Sequence, residues 1–270
     1  MGKIERKFDE IRAAERKGFI PFVTAGDPSF EASLSIVRAL AEAGADIIEL
    51  GVPFSDPMAD GPTIQRSSQR SLHNGTSLND VVRLAREFRK TSDTPMVLFS
   101  YLNPLLAYGA ESLANDASAV GIDAMLITDA VDEEAATYRA LFENAGIDLI
   151  SLVAPTTSED RLKRICESAT GFIYAVSRAG VTGARADTSR AAEELVKRAR
   201  RYTDLPIAVG FGISTRQQIG EVWQYADAAV VGSAIVAEIE RNLGNNKLAE
   251  LIRQYVSSLL PSVAKQPVRT

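Results

Sequence analysis

A chain of 270 residues, 46% hydrophobic and 24% charged, carries ample apolar material for a large core, and its net charge of −5 comes without the basic tracts that grip nucleic acid. One cysteine, Cys166, excludes an intramolecular disulfide and fits a reducing compartment. The charged start Met-Gly-Lys-Ile-Glu-Arg-Lys-Phe is unlike a signal peptide, and no apolar run reaches membrane-spanning length, so the expectation is a cytoplasmic protein with neither nucleic-acid nor membrane partners.

Taken from the N-terminus, Ile4, Phe8 and Ile11 share one helical face, which predicts a helix ahead of the first strand. Short apolar runs then recur at residues 19–24, 46–51, 96–100, 124–128, 149–153, 172–177, 207–210 and 228–232. Between them lie segments with helical spacing, such as Leu34, Val37, Leu40 and Ala41, or Val81, Leu84, Ala85 and Phe88, or Tyr138, Leu141 and Phe142. Ser77 and Ser158 are placed to cap helix starts, and Gly44, Gly121 and Gly146 to end helices. His73, the only histidine, ends a polar helical stretch and reads as a surface residue; Cys166 reads as a small core hydrophobe. Eight strand–helix units without a linker predict a parallel sheet, and strands this uniformly apolar predict a closed (β/α)8 TIM barrel with an extra N-terminal helix. An open doubly wound sheet is the alternative. The barrel is expected to form one domain over residues 1–270, with 262–270 as a frayed tail.

Two acids stand out against this frame. Glu49 falls near the C-terminal end of the second apolar run, where a carboxylate is costly unless it is paired, protonated or put to use. Asp60 follows on a loop rich in Pro, Gly and Asp, with Asp56 between them. Two carboxyls in unlike surroundings hold unlike pKa values, which is what acid/base work on one substrate needs. Barrel sites gather at the C-terminal ends of strands, and Tyr174 in the sixth run falls within that region. Gly212 and Gly232-Ser233 follow the last two runs, with Gly180 and Gly183 after the sixth; such turns let backbone N–H groups approach a phosphate. No nucleotide loop and no Cys/His metal set occurs in the sequence, and Ser-His-Asp chemistry would rest on His73 alone. The residues therefore point to cofactor-free, metal-free acid/base chemistry on a phosphorylated molecule.

Longer motifs carry a resemblance. Pro21-Phe-Val-Thr-Ala-Gly-Asp-Pro, Glu49-Leu-Gly-Val-Pro-Phe-Ser-Asp-Pro-Met-Ala-Asp-Gly-Pro, Tyr101-Leu-Asn-Pro, Ser177-Arg-Ala-Gly-Val-Thr-Gly and Gly210-Phe-Gly-Ile-Ser resemble the tryptophan synthase alpha subunit family, in order and over nearly the whole chain. The resemblance implies a barrel that cleaves indole-3-glycerol phosphate to indole and glyceraldehyde 3-phosphate. It also implies a beta-subunit partner in an α2β2 complex, with indole passed through a tunnel. By the same resemblance Glu49 is the catalytic acid/base, protonating indole C3 and taking the glycerol hydroxyl proton, while Asp60 holds the indole N–H and steadies positive charge on the ring. Tyr174 would lie beside Glu49, and Phe22 would flank the indole. Gly183, Gly212, Gly232 and Ser233 would offer N–H groups to the phosphate. Thr182 would belong to a lid that closes on Asp60, and Pro53 and Asp56 would face the beta subunit. The sequence departs from the family after the fourth run, where Thr128-Asp-Ala-Val-Asp replaces a proline-bearing turn and implies a less rigid loop. An autonomous indole-3-glycerol phosphate lyase and a non-catalytic phosphate-binding barrel subunit are the competing readings of these residues.

Overall fold

Each apolar run becomes a strand, and at least one helix follows every strand. The computed structural model describes residues 2–130, 132–176, 185–210 and 212–261, with the backbone alone for 132–134 and 185–189. Its elements in chain order are α1 (Lys3–Ala13), β1 (Gly18–Thr24), α2 (Phe30–Glu42), β2 (Ile48–Gly51), α3 (Pro62–His73), α4 (Leu78–Arg89), β3 (Met96–Ser100), α5 (Leu102–Tyr108), α6 (Ala110–Val120) and β4 (Ala124–Ile127). The second half runs α7 (Asp132–Asn144), β5 (Asp148–Val153), α8 (Glu159–Ser168), β6 (Ile173–Val176), α9 (Arg185–Ala199), β7 (Ile207–Gly210), α10 (Arg216–Val222), β8 (Ala228–Val231), α11 (Ser233–Arg241) and α12 (Leu248–Leu259). All neighbouring strands pair in parallel, and β1 closes on β8 from Gly18 with Ala228 to Pro21 with Val231. That closure makes a (β/α)8 barrel and rules out the open sheet.

Strand side chains alternate between two cores, as a period of two requires. In β2, Ile48 and Leu50 join the outer core beneath the helices, while Ile47, just before the strand, joins an inner core with Phe22, Val97, Phe99 and Leu126. α1 supplies Ile4, Phe8 and Ile11 to that inner core, with the Phe8 and Phe172 rings 5.7 Å apart. The expected helix ahead of β1 is therefore present, and it closes the N-terminal end of the barrel.

Strand edges differ slightly from the apolar runs. β2 starts at Ile48 rather than at residue 46, because Asp46 is used as a clamp: its carboxylate accepts the Phe19 N–H at 2.9 Å and both terminal nitrogens of Arg16 at 2.8 and 2.7 Å. Ser77 caps α4 in a capping box with Asp80. Ser158 precedes α8 without a side-chain cap bond, and the acids Glu159 and Asp160 complement the dipole of its first turn instead. Cys166 is buried on α8, and His73 ends α3 exposed to solvent. After β4 the β4–β5 pairing stops at Leu126 with Ile150, and a cavity of about 580 Å³ lies there, lined by Thr128, Arg139, Ser151 and Ile165 among others. It contains none of the candidate site residues. The expected frayed tail, 262–270, lies outside the described residues.

Candidate active site

Glu49 occupies an inward-facing position of β2, two residues above Ile47. Its strand partners in register are Phe22 on β1 and Val97 on β3, both inner-core residues. The side chain is fully buried, and neither carboxylate oxygen has a hydrogen-bond partner among the described residues. Burial pushes its pKa well above the ordinary carboxylate range, which favours the neutral acid. A buried polar group left unsatisfied is costly, and it is tolerated where the fold prepares a site.

Asp60 presents the opposite case. The turn from Asp56 to Gly61 is tight: Met58 N–H donates to the Asp56 carbonyl at 2.8 Å, and Asp60 N–H to that of Pro57 at 3.0 Å. Gln65 on α3 then donates through Nε2 to the Asp60 carbonyl at 2.9 Å. The carboxylate is half-buried and accepts the Tyr101 hydroxyl at 3.0 Å. Burial raises its pKa to about 6, and the Tyr101 hydrogen bond pulls the other way. Above about pH 6 Asp60 is thus mostly ionised, while full burial with no opposing hydrogen bond favours the neutral form of Glu49.

Tyr101 received no role from the sequence, although its motif was noticed. It stands just past β3, packs its ring 5.1 Å from that of Phe54, and also accepts the Ala59 N–H at 3.0 Å. A tyrosine directly after a barrel strand is the signal that could have found it. Thr24, at the end of β1, was missed as well: its hydroxyl is buried with no partner among the described residues, on the same strand face as Phe22.

Tyr174 is buried on β6, and the charges of Glu49 and Asp60 add to burial in raising its pKa far above the usual phenol value. All three groups therefore share one mouth. Gly210 makes room for the phenol, since a Cβ there would collide with the Tyr174 hydroxyl, and a Cβ on Gly51 would collide with the Phe22 ring. Phe22 packs edge-on against Phe99 at 5.3 Å and lies against Gly232. Gly232 is the N-cap of α11 and Ser233 its first residue, so unpaired N–H groups of the helix start open beside Phe22. Gly212 is exposed just after β7. Thr182, Gly183 and Gly180 lie outside the described residues. Asp56 is exposed, Pro53 is buried within the chain, and Met58 is 84% exposed on the same loop. Among the described residues no group of His, Cys, Asp and Glu has metal-binding geometry.

A fully buried acid, a second acid held by a hydroxyl, an aromatic wall and a helix start are suited to moving a proton on a flat ring that carries a phosphate. Comparison with known proteins bears on the same point. The family model described as Tryptophan synthase alpha chain matches residues 8–261. The tryptophan synthase alpha chain of Solibacter usitatus is 46% identical over 259 residues, covering 96% of this chain and 97% of that protein. That of Desulfosudis oleivorans is 47% identical over 260 residues, covering 94% and 98%. The crystal structure of tryptophan synthase subunit alpha from Legionella pneumophila superposes with a TM-score of 0.88 at 34% identity, covering 96% of this chain and 97% of that one.

Proposed function

The chain belongs to the tryptophan synthase alpha chain family, and from that premise we propose how its own residues carry out the chemistry. The protein is a carbon–carbon lyase of tryptophan biosynthesis that cleaves indole-3-glycerol phosphate to indole and glyceraldehyde 3-phosphate. Breaking the bond between the ring and the glycerol chain needs a proton delivered to ring carbon C3 and another removed from the adjacent hydroxyl. Glu49 performs both steps. As a neutral acid it protonates C3, which leaves positive charge on the ring nitrogen. As the resulting carboxylate it takes the hydroxyl proton: the O–H electrons form the aldehyde C=O, and the C–C electrons return to the ring. The acid is regenerated at the end of the cycle.

Asp60, charged at neutral pH, accepts the indole N–H and balances the cationic ring. Tyr101 aims its carboxylate, and Tyr174 keeps a neutral hydroxyl beside both acids. Phe22 forms one wall for the indole. Gly232 and Ser233, with Gly212 and Gly183, offer N–H groups to the phosphate. We further take residues 1–270 as one domain working in the cytoplasm and pairing with a beta subunit in an α2β2 complex. Asp56 and the exposed Met58 and Leu106 supply that partner-facing rim, with Pro53 shaping the loop beneath. No helix among the described residues is long and apolar enough to cross a membrane.

The buried, unpartnered carboxyl of Glu49 at the barrel mouth supports this reading most strongly. Its test is indole release from indole-3-glycerol phosphate by the purified chain, repeated while a beta subunit is titrated in. Indole that appears and rises with the partner is the expected result. No indole under either condition rejects the lyase, and full activity without the partner favours the autonomous enzyme.

A further inference from the structure

Two helices that begin at opposite ends of the proposed substrate are locked together by one ion network. α3 begins two residues after Asp60, and α11 begins at Ser233, beside the phosphate donors. Arg70 on α3 donates Nε and Nη2 to the two carboxylate oxygens of Asp27, both at 2.8 Å, and turns Nη1 to Glu240 Oε1 on α11, also at 2.8 Å. Glu240 receives a second fork from Arg66, with Nε at 2.8 Å and Nη2 at 2.7 Å. Asp27 is buried on the turn after β1 and also accepts the Ser67 hydroxyl at 2.7 Å; nearby, the Ser71 hydroxyl donates to the Ala25 carbonyl at 2.5 Å. A guanidinium that spends its planar fork on one carboxylate and a further nitrogen on another fixes angle as well as distance.

The barrel is already closed by backbone pairing between β1 and β8, so closure does not require this link. What the link sets is the spacing of the two helix starts. We propose that Arg70, clamped between Asp27 and Glu240, is a positioning residue that holds Asp60 and the start of α11 at the separation one substrate needs to engage both at once. The proposal rests on the roles given above to Asp60, Gly232 and Ser233. A molecule gripped at both ends gains from a fixed span, while its separate halves do not, and a misplacement of about 1 Å costs on the order of 100-fold in rate.

The full-length chain tests this with Arg70→Lys, which keeps the charge and loses the fork, and Glu240→Gln, which cuts the tie to α11 at a partly exposed site. Three quantities are read: kcat/KM for indole-3-glycerol phosphate, the Kd of inorganic phosphate, and the Kd of indole. Both variants are expected to lower kcat/KM by roughly 10- to 100-fold while each fragment binds as in the unaltered chain. Glu240→Gln weakens both arginine ties between α3 and α11, whereas Arg70→Lys leaves the Arg66 fork in place, so the losses in the double variant should be less than additive. Unchanged kcat/KM in Glu240→Gln, or equal losses for substrate and both fragments, overturns the proposal. An unaltered chain that makes no indole rejects the functional reading and this inference with it; an active chain with an indifferent Glu240→Gln variant rejects the inference alone.

Discussion

Glu49 and Asp60 differ less in chemistry than in surroundings: burial raises the pKa of both, and only Asp60 has a hydrogen bond, from Tyr101, that opposes the rise. Glu49→Gln keeps shape and hydrogen-bonding capacity but cannot shuttle a proton, so indole formation should fall by about 10²–10⁴-fold. Phosphate affinity and Tm should be unchanged, since burial already favours the uncharged form of the native side chain and its oxygens have no partner among the described residues. Unaltered turnover in that variant would remove Glu49 from the mechanism. For Asp60, kcat/KM should rise with pH through about 6, where its carboxyl loses its proton, and then level off. The Tyr101 hydrogen bond favours the charged form, so Tyr101→Phe should move this limb to higher pH, as a pH–rate profile would reveal. Glu49 was legible in the sequence because an acid interrupts an apolar alternation, and Asp60 because its loop is so distinctive. Tyr101 was not, because its bond to Asp60 spans 41 positions and no local pattern states which loop it will meet.

At the level of elements, one device recurs on the N-terminal face. Asp46, Asp123 and Asp227 precede β2, β4 and β8, and each reaches across to the N–H of the preceding strand: Phe19 in β1, Met96 in β3, Ile207 in β7. Each also pairs with an arginine, respectively Arg16, Arg89 and Arg200. The polar ends of these strands are thus satisfied without water, and the carboxylates gain partners where burial would otherwise penalise them. Asp46→Ala should cost about 3 kcal/mol, the lower end for a broken buried pair, because Arg16 can turn partly to solvent. Urea denaturation should show a lower midpoint with an unchanged slope, and kcat should be preserved because the clamp lies at the far end from Glu49. Apolar runs located the strands correctly, yet Asp46 looked like part of its strand, since a sequence does not say whether an acid pairs along the ladder or across it.

Across the whole molecule, the alternation of strand and helix was legible end to end, and the uniformly apolar strands already favoured closure over the open sheet; the pairing of β1 with β8, from Gly18 with Ala228 to Pro21 with Val231, decides between them. The departure from the family pattern after β4 was also visible beforehand, and Thr128 in that turn lines the cavity beside β5. α1 is the feature with the widest reach. Phe8 fills the barrel's lower end against Phe172, and Phe8→Ala should destabilise the fold by about 3–5 kcal/mol, read by thermal or chemical denaturation with kcat retained. With that helix in place, and Ile47 in the inner core beneath Glu49, the reaction chamber is a cul-de-sac. A greasy product formed there must leave by the doorway through which its parent entered, past the solvent-facing side chains of Met58 and Leu106. Any protein seated over that threshold becomes custodian of the outgoing traffic without touching a single reacting atom.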